Sequence, residues 1–134
     1  MIGHGRVLHA GLATGPVIQL DEPLSFWGGF DPVTGTIIDR AHPQVGASLV
    51  GCIVAMPGSR GSSATPGALG EALRLGTGPA GLLVTKPDIN LVAGAMVAAT
   101  LYNSSCPVIL VDEETRRQIR SGSELTISID GRLT

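Results

Sequence analysis

The chain has 134 residues, long enough for one domain with a substantial core, and its 9 basic and 11 acidic side chains leave a net charge of −2. Without a concentrated stripe of Lys and Arg, nucleic-acid binding is not expected. With 43% apolar and only 15% charged residues, disorder is not expected either, and a surface partly covered by a partner is. Met1-Ile-Gly-His-Gly-Arg-Val7 lacks the apolar core of a signal peptide, and no apolar run approaches membrane-spanning length. A cytoplasmic location is therefore expected.

In chain order, residues 6–10 and 16–20 read as short strands broken by glycine. Ser25-Phe-Trp-Gly-Gly-Phe-Asp31 then holds three of the four aromatic residues within five positions. Such a segment can line a ligand pocket, anchor an interface, or form a small local core. Asp31-Pro-Val-Thr-Gly35 signals a turn into a further strand at 36–39. The first third thus predicts antiparallel β structure without a helix.

The remainder alternates strand and helix. Residues 52–56 form an apolar strand, and after a polar loop Thr65 is expected to cap a helix with Pro66 at its first position, stopped by Gly76. Residues 80–85 read as a strand buried on both faces. Asp88 caps a second helix, on which Ile89, Val92, Ala93, Met96, Val97, Thr100 and Leu101 follow helical spacing. Its small residues, Ala93 to Ala95 with Ala98 and Ala99, predict close packing on a sheet. A third buried strand is expected at 106–111. Asp112 then caps a short helix through Arg120, Gly122 makes a turn, and a half-exposed strand spans 124–129. Strands separated by helices give a parallel sheet with right-handed crossovers. The expected class is α/β, a three-layer β/β/α domain with an antiparallel layer beside a parallel βαβ sheet, and residues 1–134 as a single domain.

The stretch Met56-Pro-Gly-Ser-Arg-Gly-Ser-Ser-Ala-Thr-Pro66 concentrates chemistry where a strand feeds a helix start. Backbone N–H groups and the helix dipole favour negative charge there, and Arg60 adds a donor suited to a carboxylate or phosphate. Ser59, Ser62 and Ser63 supply hydroxyls that can bind, cap or react; the plain structural role of Ser62 is a turn or cap hydrogen bond. A Gly-x-Ser-x-Gly elbow is absent, and no Gly-Lys-Ser/Thr ends the loop, since the single lysine is Lys86. Cys52 and Cys106 read as free buried thiols, with a disulfide or metal pair as the alternative, and two cysteines do not hold an iron–sulfur cluster. His4, His9 and His42 show no metal-ligand spacing, so no metal site is expected on this chain; His42 is the one histidine worth testing.

Leu20 to Asp39, with its Phe26-Trp27-Gly28-Gly29-Phe30 core, followed by Pro57-Gly-Ser-Arg-Gly-Ser-Ser63, resembles the swivel domain of the aconitase X family over nearly the whole chain. The resemblance implies a swivelling β/β/α domain that forms the small subunit of a dehydratase. It also implies a large partner subunit that holds an iron–sulfur cluster, whose iron takes the departing hydroxyl. Family members of this character act on cis-3-hydroxy-L-proline; archaeal relatives dehydrate mevalonate 5-phosphate. Ser62 matches the family's serine base, with Ser63 as fallback. Arg60 is expected to help hold a substrate carboxylate, and Gly58 and Gly61 to give the loop its tight backbone. A phosphorylated substrate calls for several cations, and this chain offers Arg60 and Arg40, so a small hydroxy acid is favoured. A non-catalytic swivel-type module that binds or regulates a partner is the competing expectation.

Overall fold

A computed structural model of the protein describes residues 2–61 and 63–134. Strands β1 (Gly3–His4), β2 (Arg6–His9) and β3 (Ala13–Gln19) are followed by a small hairpin of β4 (Phe30–Asp31) and β5 (Thr36–Ile37). Next come β6 (Ile53–Met56), α1 (Thr65–Leu75), β7 (Gly81–Val84), α2 (Ile89–Tyr102) and β8 (Val108–Leu110). The short helix α3 (Glu113–Gln118) leads to β9 (Glu124–Ile127) and β10 (Arg132–Leu133). The main ladder runs β1-β10-β9-β3-β6-β7-β8-β2, and β3, β6, β7 and β8 form its parallel centre.

This ladder folds into two layers at β3. Residues 13–16 pair antiparallel with β9, while Val17, Ile18 and Gln19 pair parallel with Ile53, Val54 and Ala55. Gly15 marks the corner: a Cβ there would lie 2.4 Å from the Gly51 carbonyl oxygen, so the backbones approach as only glycine allows. Successive residues of the parallel strands point to opposite faces. Ile53, Ala55, Leu83, Ile109 and Val111 meet Leu125, Ile127 and Leu133 of the antiparallel layer. Val54, Met56, Leu82, Val84 and Val108 instead pack with α1 and α2 through Leu69, Leu73, Leu91 and Ala95. Coverage on both faces explains the unbroken apolar runs of these strands. The expected β/β/α class is the one observed.

Several local expectations change. The first third is not a separate antiparallel flap: β3 lies parallel to β6, and β2 closes the far edge antiparallel to β8. The antiparallel layer takes β9 and β10 from the chain's end, because long-range pairing leaves no mark in local sequence. The N-cap position of α1 is Ala64 rather than Thr65. Thr65 is the first helical residue and fully buried, so its side chain turns into the core and its Oγ1 has no hydrogen-bond partner among the described residues. Gly76, at φ 78°, ends α1 as expected.

On α2 most of the expected apolar stripe faces outward, with Ile89 81% and Leu101 65% exposed, while Val92 packs against the core. The helix is apolar nearly all round, so periodicity does not select its buried face. The small face does: Gly94, Ala95 and Ala98 are buried with Leu91, and Gly94 lies against Pro66 and Leu69 of α1. Gly94 thus makes its close approach to a helix, while Ala95 and Ala98 join the core cluster with the sheet residues Val84 and Val108. Three spans shrink. The third parallel strand covers Val108–Leu110, α3 stops at Gln118, and the last predicted strand ends at Ile127 before the Gly131 turn into β10.

Candidate functional site

The Gly-Ser loop leaves the carboxyl end of β6 and ends at the amino end of α1, the position at which open α/β sheets gather ligands. Two sides hold it. Residue 24 forms a parallel bridge with residue 59; the Arg60 amide donates to the Leu24 carbonyl at 2.8 Å and the Leu24 amide to the Gly58 carbonyl at 3.4 Å. From the other side, Asp88 Oδ2 accepts from the Ser59 amide at 2.7 Å and from the Ser59 hydroxyl at 2.6 Å. Gly58 is buried at φ +155°, and a Cβ there would lie 3.4 Å from Asp88 Oδ2. Glycine adopts this backbone conformation where a side chain would be strained.

Gly61 and Ser63 are exposed, and a Cβ at Gly61 would meet nothing within 4 Å. Ser62 lies outside the described residues. Arg60 is half exposed and pairs with Glu22 at 3.4 Å, so its guanidinium stands at the loop with a carboxylate beside it. Arg40 is exposed on the turn that carries His42.

His42 is structural. It is 4% exposed, its Nδ1 accepts from the Gln44 amide at 3.0 Å, and its Nε2 lies 3.2 Å from the Glu22 carbonyl oxygen. The amide bond assigns the proton to Nε2, and the ring ties the 39–45 turn to the segment bearing Arg60's partner. The aromatic segment divides its roles. Phe26 and Phe30 are buried with ring centroids 5.2 Å apart, whereas Trp27 is 65% exposed. Between this segment and the first turns of α1 lies a pocket of about 510 Å³, lined by Phe26, Trp27, Phe30, Pro32, Ala68 and Glu71. A hydrogen bond from Arg74 holds the Glu71 carboxyl below its ordinary value.

Cys106 is fully buried and Cys52 partly so, and both are free. Burial pushes the Cys106 thiol up to about 12 and raises that of Cys52. Among the described residues, no three His, Cys, Asp or Glu side chains come together as a metal would need. None of the described helices is long and apolar enough to cross a membrane. Sequence reasoning found Asp88 as a helix cap but missed its grip on Ser59, and it missed Glu22 altogether. The only local signal for Asp88 was its place at a second helix start, after the neighbouring parallel strand.

A parallel sheet between an antiparallel sheet and two helices, with a serine-rich loop at its carboxyl edge, defines a swivel-type β/β/α domain. The aconitase X swivel domain family model matches residues 2–134, and the chain belongs to that family. It is 42% identical over 108 residues to cis-3-hydroxy-L-proline dehydratase of Pseudomonas aeruginosa, covering 81% of this chain and 19% of that protein. It is 37% identical over 93 residues to the phosphomevalonate dehydratase small subunit of Methanothermobacter thermautotrophicus, 69% of this chain and 71% of that one. The solved structure of Thermococcus kodakaraensis aconitase X in its holo form superposes with a TM-score of 0.84 at 25% identity, over 97% of this chain and 93% of that chain. The chain thus spans about a fifth of the length of the Pseudomonas dehydratase it matches.

Proposed function

We propose that residues 1–134 form a single swivel domain that serves as the small subunit of a hydro-lyase, dehydrating a small hydroxy acid with cis-3-hydroxy-L-proline as the first candidate. The observation that carries this reading is the family match over residues 2–134, which includes the Gly-Ser loop at the carboxyl edge of the sheet. The relative named for cis-3-hydroxy-L-proline, at 42% identity, supports the substrate.

In this reading Ser62 Oγ takes the proton from the α-carbon, with Ser63 as the alternative base. A serine hydroxyl is a weak acid, and its alkoxide needs positive potential. The amino end of α1, the loop amides and Arg60 supply that potential. Gly58 and Gly61 let the backbone come close to the substrate, and Arg60 turns from Glu22 to the substrate carboxylate. An iron–sulfur cluster does not fit this chain: Cys106 is sealed in the core and no third ligand gathers near Cys52 among the described residues. We assign the cluster to the large subunit, and the departing hydroxyl to groups outside this chain. The relative named as a small subunit supports such a division between two chains.

That same relative favours mevalonate 5-phosphate as the second reading. Against it, a phosphate calls for several cations, and this chain offers Arg60 and Arg40. The test is co-expression with the large-subunit candidate and anaerobic assay on both substrates, with and without Ser62→Ala. Turnover of the hydroxyproline that falls by roughly 10²- to 10⁴-fold in an intact Ser62→Ala complex is the expected result. Turnover of the phosphate alone would move the substrate, and full activity of the variant would leave a non-catalytic binding module. The isolated chain is expected to fold and be inactive.

A further inference from the structure

We propose that Asp88 is the positioning residue of the serine loop, a clamp that fixes the reach of residue 62 by holding Ser59. The proposal rests on the reading of Ser62 as the base. Asp88 stands at the start of the second crossover helix, 29 residues from Ser59, and its two oxygens divide the work. Oδ1 accepts from the Leu91 amide at 3.1 Å and caps α2. Oδ2 faces the loop and takes both the amide and the hydroxyl of Ser59, at 2.7 and 2.6 Å. A helix cap needs one oxygen only. The second oxygen, held by two short bonds from one residue, is more than capping requires.

Local backbone fits this second role. Gly58, buried at φ +155°, lets the loop lie beside the carboxylate: a side chain would be strained at that φ, while its Cβ would only touch Oδ2 at 3.4 Å. On its other side the same segment is tied to Leu24 through the Arg60 amide and the Gly58 carbonyl. Ser59 is thus fixed from two directions, three residues before Ser62, while Gly61 and Ser63 stay exposed. A mobile base that needs no partner for its own neighbours would not require such a mount. A base that must reach a carbon acid held by a second subunit does, because displacement of about 1 Å can cost on the order of 100-fold in rate.

Asp88→Asn separates the two roles. An asparagine carbonyl still caps α2, while its amide group presents a donor to the Ser59 N–H and breaks the clamp. Asp112→Asn is the control. Asp112 caps α3 in the same manner, accepting from the Thr115 amide at 2.7 Å, and among the described residues it makes no bond to the loop. In the two-subunit enzyme, Asp88→Asn is expected to lower kcat on the order of 100-fold with KM within about twofold, and to raise the isotope effect on kcat with α-deuterated substrate. Ser59→Ala lowers kcat less, and the double variant is no slower than Asp88→Asn alone. Hydrogen exchange read independently of activity shows the Ser59 amide losing protection in Asp88→Asn and keeping it in Asp112→Asn. Unchanged kcat in Asp88→Asn, or additive effects of the two substitutions, overturns the clamp. If Ser62→Ala abolishes activity while Asp88→Asn does not, the clamp alone has failed; if Ser62→Ala is fully active, the base assignment has failed whatever Asp88 does.

Discussion

Gly70→Ala and Gly94→Ala place the same added methyl on the two facing helices and are expected to move stability in opposite directions. At Gly70 of α1 the nearest atom to a new Cβ is the Gly94 carbonyl oxygen at 3.9 Å, an ordinary contact. The methyl fits, and removing a mid-helix glycine stabilises by up to about 1 kcal/mol. At Gly94 of α2 the new Cβ meets the Pro66 carbonyl oxygen at 3.1 Å and two Leu69 atoms at 3.2 Å. Leu69 is fully buried and Pro66 belongs to the first turn of α1, so neither yields readily. Overpacking of this kind costs about 1–3 kcal/mol, from which the helix gain subtracts about 1. The net is a loss of about 1 kcal/mol, and the two variants differ by about 2. Urea unfolding of the isolated chain measures both directly. In thermal scans the gap corresponds to roughly 6–10 °C. A stabilised Gly94→Ala, or a Gly70→Ala that loses more than it gains, would refute the packing of α1 on α2 described above.

Phe26→Ala is expected to destabilise by about 3–5 kcal/mol, and Trp27→Ala by less than about 0.5, because the first ring is buried against Phe30 and the second is largely exposed; equal losses in denaturant titrations would show that the segment packs as one unit. Cys106, raised from an ordinary 9.0 to about 12, keeps its proton in the folded chain where the unfolded chain has lost it. Its contribution is full below pH 9 and is lost as pH rises toward 12, so Cys106→Ala should show a shallower alkaline decline than the wild type. A thiol reagent should accordingly label Cys52 slowly and Cys106 only on unfolding. Arg60→Lys should leave stability within about 0.5 kcal/mol, since the Glu22 pair is exposed. It should raise KM of the assembled enzyme about tenfold or more by removing the guanidinium fork; unchanged KM and kcat would take Arg60 out of substrate binding.

Local sequence was enough wherever one residue decides the outcome by its own chemistry. Gly76 ends α1 because glycine adopts a left-handed backbone freely, and Asp88 and Asp112 cap because a carboxylate beside the first turn meets its free amides. The unbroken apolar runs of β6 and β7 already require cover on both faces, and the Gly-Ser loop between strand and helix marks the candidate site. What needed the tertiary structure was every choice between local equivalents. On α2 an apolar surface nearly all round offers no preferred face, and only the proximity of α1 selects Gly94, Ala95 and Ala98 over Ile89, Met96 and Leu101. Thr65 is a good cap by type, yet the core takes its side chain. The pairing of β3 with β6 joins residues 36 positions apart, and its pairing with β9 joins residues 108 to 114 positions apart, both beyond the reach of any periodicity. The grip of Asp88 on Ser59 is of the same kind: two ordinary polar residues become an anchor only because adjacent parallel strands bring their following loops side by side.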